Sequence, residues 1–363
     1  MINKIGIKNF KCFQELELPV KRVNVLAGIN GMGKSTVIQS ILLMYQSFLK
    51  DPLMHGLYLN GKYIELGNAE DVLYEKAEEE KITFSYEWEN EKAEFEFAYI
   101  LNSDFLPPVR EAVLENIGKI FEGKFIYISA YRIRPEKFYH IINEDELAAR
   151  DFGNNGEYAL QYLSEYGDIK VHNTKVIIED KLGNSLNNQT RVWMDKIAPG
   201  ISPMVNINKQ QRISELNYEF IEGKEKTTSY KSINVGFGIT YVLPLVVAVL
   251  SAREGDFIMI ENPEAHIHPA GQRMLGELIA LAGEGGVQIF IETHSDHVLN
   301  GIRLAVKKKK VERDNIRLNF FYKDMQDEFR HKCVSPQIQE DGRLDIWPEG
   351  FFDEWDKASF ELF

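Results

Sequence analysis

Residues whose types and spacing can do chemistry concentrate in three stretches. The first is Gly28-Ile29-Asn30-Gly31-Met32-Gly33-Lys34-Ser35, which has the phosphate-loop spacing G-x-x-x-x-G-K-[ST]. Its glycines let a loop wrap closely enough for backbone N–H groups to surround phosphate oxygens. A helix opening at about Lys34 adds the partial positive charge of its N-terminus at the same place. Asn30, Gly31, Gly33, Lys34, Ser35 and Thr36 are therefore candidate nucleotide contacts. Lys34 would reach the β- and γ-phosphates, and the Ser35 hydroxyl would ligate Mg2+.

The second stretch is Glu261-Asn262-Pro263-Glu264, directly after the apolar run Asp256–Ile260. Open α/β sheets place ligands at the C-terminal ends of buried parallel strands. Mg2+ beside a phosphate loop also needs an acidic neighbour, which makes Glu261 a candidate metal ligand. Glu264 is a candidate general base for the attacking water; its other reading is a carboxylate that caps the helix following Ala265-His266-Ile267-His268. The third stretch is Thr293-His294-Ser295, after the apolar run Val287–Glu292. At that strand end His294 suits contact with a γ-phosphate, the alternative being a purely structural histidine.

The elements needed to hold these groups can be read around them. Val23–Ala27 is a buried strand leading into the glycine loop, and Thr36–Leu49 has helical apolar spacing with a broad buried face. Gln39 in that helix receives no catalytic role. Met1–Phe13 and Leu16–Val20 read as strands, and Lys81–Ile100 as an antiparallel hairpin turning at Asn90-Glu91 with one wet face. Phe125–Ser129 is a short strand, after which Arg132 and Arg134 face either a phosphate, another subunit or only solvent. Tyr158–Glu165 reads as a helix and Val192–Ile197 as a helical turn ending at a break at Pro203. Ile201–Lys231 holds two or three more strands, with a charged turn at Glu222–Lys226. Pro269–Leu281 is a helix with proline at its start and glycines past its end, Ser295 and Asp296 cap another running to about Lys309, and Asn315–Tyr322 is a strand.

Composition narrows the class. The chain has 363 residues, 44% hydrophobic and 27% charged, as expected of one large domain with insertions or of two lobes. Two cysteines, Cys12 and Cys333, form no spaced set, so neither a disulfide framework nor a zinc site is indicated and a reducing cytoplasm fits. The N-terminus lacks an apolar signal region, and the longest apolar segment, Tyr241–Ala252, is too short to span a bilayer. A net charge of −13 argues against bulk electrostatic binding of nucleic acid, although a local basic groove survives such an average. Lys307–Lys310 is the candidate DNA contact; the bland reading is the solvated end of a helix.

Taken in order, GINGMGKST, FIMIENPEAHIHP and IFIETHSDH resemble the ATPase heads of the ABC class, in particular the group of RecF, SMC and OLD-family (overcoming lysogenisation defect) ATPases. The opening IGIKNFKCF resembles the start of that group, and E-x-P-E-x-H-x-H-P is particularly similar to OLD-like and related bacterial AAA ATPases. PQIQEDGRLDIWPEGFFDEW resembles a domain of unknown function that ends some of them. The resemblance covers both ends of the chain and says little about residues 51–230. It implies an α/β fold: an ABC-type P-loop NTPase head with a mixed sheet, an antiparallel β lobe and an inserted α/β middle region. The expected divisions are 1–50 and 231–325 for the two parts of the ATPase core, 51–230 for the insertion, and 326–363 for a tail.

The resemblance also implies a signature motif, best matched by Ser232-Ile233-Asn234-Val235-Gly236-Phe237-Gly238 before the apolar helix Ile239–Leu250. In ABC-class heads this motif completes the site of the other subunit. Asn234, Gly236 and Gly238 would then touch the ATP of a second copy, and a homodimer would sandwich two ATP molecules with Mg2+. A glycine-containing turn before a core helix is the alternative. Two departures stand out. The first acid is Glu261 rather than aspartate, and Asn262 occupies the position of the usual catalytic glutamate, so either Glu264 supplies the base or hydrolysis is slow. No Asp-x-Asp pair follows His294 and too little chain remains for a Toprim nuclease domain. The implied function is a cytoplasmic ATPase switch acting on a separately encoded effector, in anti-phage defence, without a membrane. The alternatives are a weakly hydrolysing ATP-bound scaffold and a RecF-like repair ATPase that binds DNA.

Overall fold

In the computed structural model every residue is described except 90, 111–117, 119–120, 180–182, 223–224, 325–326, 328–329 and 363. Contacts divide the chain into two units: residues 1–123, 316–337 and 344–363, and residues 124–315 with 338–343.

In the first unit, alternation along β1 (Ile2–Phe10) buries Ile5 and Ile7 while Lys8 stays exposed, the pattern of a strand with one dry face. β2 (Phe13–Pro19) returns antiparallel to it. β3 (Val23–Gly28) leads through the glycine loop into α1 (Lys34–Lys50). The segments β4 (Leu57–Tyr58), α2 (Ala69–Val72), β5 (Lys81–Trp88), β6 (Glu91–Ala98) and β7 (Phe105–Leu106) follow. β5 and β6 form the expected hairpin, whose turn residue Asn90 lies outside the described residues. It extends an antiparallel sheet of order β2-β1-β5-β6.

The second unit carries the middle of the chain. Its parallel strands are β8 (Phe125–Ile128), β14 (Phe257–Glu261) and β15 (Gln288–Glu292), with β14 between the other two. All three are buried almost throughout, as parallel strands covered on both faces must be. A separate antiparallel sheet pairs β10 (Ile201–Asn208) and β11 (Ile213–Glu222), with the short strands β9 (Tyr139–His140), β12 (Glu225–Lys226) and β13 (Tyr230–Lys231) along β11. The helices are α3 (Glu144–Ala148), α4 (Ala159–Tyr166), α5 (Leu186–Ile197), α6 (Phe237–Ser251), α7 (Pro269–Glu284) and α8 (Asp296–Lys307). α6 is buried from Thr240 to Ser251, which its all-round apolar sequence requires.

The chain then returns to the first unit with β16 (Ile316–Asp324), parallel to β3, and β17 (Arg330–Val334), antiparallel to β16. In the C-terminal segment Phe351 packs edge-on against Phe320 and Trp347, and α9 (Glu354–Leu362) ends the described chain. No helix among the described residues is long and apolar enough to cross a membrane.

Three expectations need correction. Pro203 does not break the chain: it lies inside β10, opposite Tyr218. β10 is an edge strand, where a missing N–H need not cost a ladder bond. The turn expected at Val192–Ile197 is a twelve-residue helix that starts at Leu186, with the Ser185 side chain accepting from Asn188 N. Lys310 is not simply solvated, because its Nζ lies 2.6 Å from the Glu277 carboxylate.

Candidate nucleotide site

In the first unit the site is built on the β3–α1 connection. Gly28 sits at φ 142°, in register with Phe321 of β16, where a Cβ would stand 2.4 Å from the Phe321 carbonyl oxygen. Gly33, at φ 105°, covers the β1–β2 turn so closely that a Cβ would meet the Phe13 ring at 2.4 Å. Both positions therefore need glycine for space as well as for backbone conformation. No side chain caps the start of α1, which opens directly after the glycine loop. Lys34 is only 3% exposed, and its Nζ donates to the carbonyls of Gly28 at 2.8 Å and Ile29 at 3.0 Å. The ammonium is thereby held inside the curve of the loop. Asn30, Gly31 and Ser35 are exposed, whereas Thr36 is buried with its hydroxyl 3.5 Å from Cys12 Sγ.

Sequence reading did not find His331. From β17 it hydrogen-bonds the backbone of Gly31 and Cys12, and burial together with Lys323 holds its imidazole below the ordinary histidine range. No motif near His331 announces this, because its partners lie about three hundred residues earlier.

In the second unit the carboxylates end β14. Glu261 accepts from the Tyr127 hydroxyl at 3.0 Å and from Ala130 N at 3.2 Å. Burial, then the Glu261 charge, raises the Tyr127 phenol, which keeps it protonated as a donor. Asn262 follows in a left-handed conformation, φ 43°, which asparagine tolerates better than most residues. Its N–H donates to the Glu292 carbonyl at 2.8 Å, tying the end of β14 to the end of β15. Glu264 accepts from the Thr293 hydroxyl and from His294 N, both at 2.8 Å, one on each carboxylate oxygen. The loop after β14 and the segment after β15 are thus joined through one side chain. His294 itself is exposed.

The signature segment belongs to the same unit. Asn234 and Gly236 are exposed, Gly236 stands at the N-cap of α6 without a side-chain cap, and Phe237 is 41% exposed. Gly238 packs on the loop after β14, where a Cβ would lie 1.9 Å from the His266 carbonyl oxygen. The Phe237 ring meets the His266 ring edge-on at 4.7 Å. The segment is a turn before a core helix on its buried side, and Asn234, Gly236 and Phe237 are exposed on the other.

Comparison with known proteins now decides the class. The family model described as "AAA domain, putative AbiEii toxin, Type IV TA system" matches residues 23–300. The chain belongs to this AAA family. A second model, described as "Protein of unknown function (DUF3696)", matches residues 311–362. A search of the curated proteins gave no match. Among solved structures, an SMC head bound to the C-winged helix domain of ScpA is 15% identical with a TM-score of 0.52, covering 93% of this chain and 98% of that one. An SMC head with an extended coiled coil, bound to the C-terminal domain of ScpA derived from Pyrococcus furiosus, is 10% identical with a TM-score of 0.52, covering 99% of both chains. The AAA domain thus has the fold of an SMC-type ABC ATPase head, with a mixed sheet and antiparallel sheets.

Arg132 of this AAA domain is not a surface arginine. It is 5% exposed, and its guanidinium donates to the carbonyls of Glu261 at 2.7 Å and Asn262 at 2.5 Å while lying 4.2 Å over the Tyr241 ring. Burial pulls it down to about 10, so it stays charged at neutral pH. Arg134 is exposed and paired with Glu136. Replacing Arg132 with Met would take its donor from the partly buried Glu261 carbonyl, at about 1–3 kcal/mol, while the Asn262 carbonyl keeps the Ala265 N–H at 3.2 Å. Calorimetry should show a melting midpoint lower by about 2–6 °C. Arg132→Lys should fall between, because a point donor cannot serve both carbonyls.

Proposed function

We propose that the chain is an ATP-binding and ATP-hydrolysing switch whose two copies close around nucleotide and so control a separate effector, in bacterial defence. The family description, which names a toxin of a toxin–antitoxin system, supports the setting. The single observation that carries the dimer is the N-terminus of α6. Its uncapped end, exposed at Asn234 and Gly236, is an anion site that needs a phosphate from elsewhere. A second copy of this chain, with its own phosphate loop, supplies one.

On this reading Lys34 and the first turn of α1 bind the β- and γ-phosphates, and Ser35 and Glu261 offer the hard oxygen donors that suit Mg2+. Bound Mg2+ would neutralise charge on the phosphates. Glu264 takes the proton of the attacking water, and His294, whose N–H is tied to Glu264, reads the γ-phosphate. Thr293 holds the Glu264 carboxylate in place. Loss of the γ-phosphate then releases both the histidine and the partner's α6.

One feature favours a second reading, a scaffold that binds ATP and scarcely turns it over. Asn262 stands where a catalytic acid is usual, and its left-handed backbone suits asparagine. Sedimentation separates dimer from monomer. With Mg2+ and a non-hydrolysable ATP analogue the mass should double, and Gly236→Asp, which puts a negative charge at the α6 N-terminus, should stay monomeric. An unchanged mass with saturating analogue would sink the sandwich.

A further inference from the structure

The second unit holds a cavity of about 560 Å3 that none of the ATPase chemistry uses. Arg273, His297, Asn300, Arg303, Lys307 and Arg343 line it, and Asp341 is its one lining acid. For a chain of net charge −13, four cationic side chains around one cavity are unexpected, since each raises the electrostatic energy of the others. Among the described residues no carboxylate pairs with Arg273 or Lys307, and Asp341 is taken by Arg343 at 3.4 Å.

The walls are fixed by packing. A Cβ on Gly276 would meet the Val298 carbonyl oxygen at 2.1 Å, and one on Gly301 the Arg273 carbonyl oxygen at 2.1 Å, so α7 and α8, which both line the cavity, are in backbone contact. Arg303 Nε donates to the Gly342 carbonyl at 2.8 Å and Nη1 to Asn300 Oδ1 at 2.8 Å, which ties the 338–343 segment to α8. His297, Asn300, Leu304 and Lys307 recur at helical spacing and present one face of α8. Pro269 and Ala270 bring the N-terminus of α7, with its partial positive charge, to the same space.

We propose that this cavity binds a small ligand of nucleotide size that carries phosphoryl groups at more than one place. The positive wall from His297 to Lys307 spans about 15 Å of helix, farther than a single phosphate can bridge. The volume falls within the range of small-molecule sites. A long nucleic acid fits less well, because the acidic chain around the cavity would repel it while a compact anion is screened within about 10 Å. The occupant would clamp α7 to α8, the helices that follow the Glu264 and His294 segments. This inference is independent of whether the phosphate loop turns over ATP.

Isothermal titration of the full Lys34→Ala chain with adenosine 3′,5′-bisphosphate tests it, with the phosphate loop silenced. The expected result is one equivalent bound, weakened at least about tenfold by Arg273→Glu combined with Lys307→Glu, with an unchanged melting midpoint. Should the double charge reversal lower that midpoint, Arg273→Gln with Lys307→Gln gives the same comparison with less perturbation. Absence of binding, binding indifferent to these substitutions, or equal displacement by sulfate would overturn the proposal. So would binding of a twelve-base single-stranded DNA through these residues when the bisphosphate does not bind. If Lys34→Ala alone removes all nucleotide binding, the cavity proposal fails while the phosphate-loop reading stands.

Discussion

Lys34→Ala is expected to lower ATP turnover by about 10²–10³-fold, the usual effect of removing a preorganised donor to developing phosphate charge. The reason lies in how the ammonium is held. Its contacts to the Gly28 and Ile29 carbonyls keep it within the loop, so it meets nucleotide without a large side-chain rearrangement. Alanine removes the charge and leaves those two carbonyls to water or to each other's repulsion. Nucleotide affinity should fall with turnover, because the same group contacts ground state and transition state. Activity of the effector that depends on this chain should disappear with it. Fluorescent-nucleotide titration and a phosphate-release assay measure the two effects separately.

Glu264→Gln is expected to act differently, and the hydrogen bonds show why it isolates chemistry from structure. Glutamine Oε1 can accept from His294 N–H while its amide donates to the Thr293 hydroxyl, so both links across the two loops are retained. What is lost is the basic carboxylate. If Glu264 is the general base, turnover should drop by about 10²–10⁴-fold with nucleotide affinity unchanged, and the ATP-bound state should accumulate. Glu264→Ala would also cut the link between the loops and lower stability, a distinct signature in a melting curve. A Glu264→Gln chain that turns over ATP at the original rate would move the base elsewhere. Under the scaffold reading the original rate is already low, and biological function survives the substitution.

How much of this was readable beforehand depends on the distance over which the chemistry is encoded. The phosphate loop was legible because its demands are local: close backbone, a helix start and one lysine fall within eight residues. Strand ends at Glu261 and Glu292 were legible because apolar runs stop there abruptly. Arg132 and Tyr127 were not assigned, since their partners lie 129 and 134 residues further on and no local pattern encodes the pairing. The sequence understates α5 for another reason. Its buried face includes Gln189 and Thr190, and the Gln189 amide bonds both the N–H and the carbonyl of Ile178, so polar core residues masked the apolar period. Pro203 looked like a break because sequence does not reveal which strand of a sheet is at the edge.

A mixing experiment tests the composite site most directly. A Lys34→Ala chain keeps its α6 N-terminus but lacks a working phosphate loop, and a Gly236→Asp chain has the reverse defect. Each alone should be inactive. Mixed in equal amounts they should recover up to about half of the original turnover, because neither variant closes with itself around nucleotide and each mixed dimer holds one complete site of two. A mixture no more active than the sum of its parts, under conditions where the chains exchange, would contradict the account and place the whole site within a single copy.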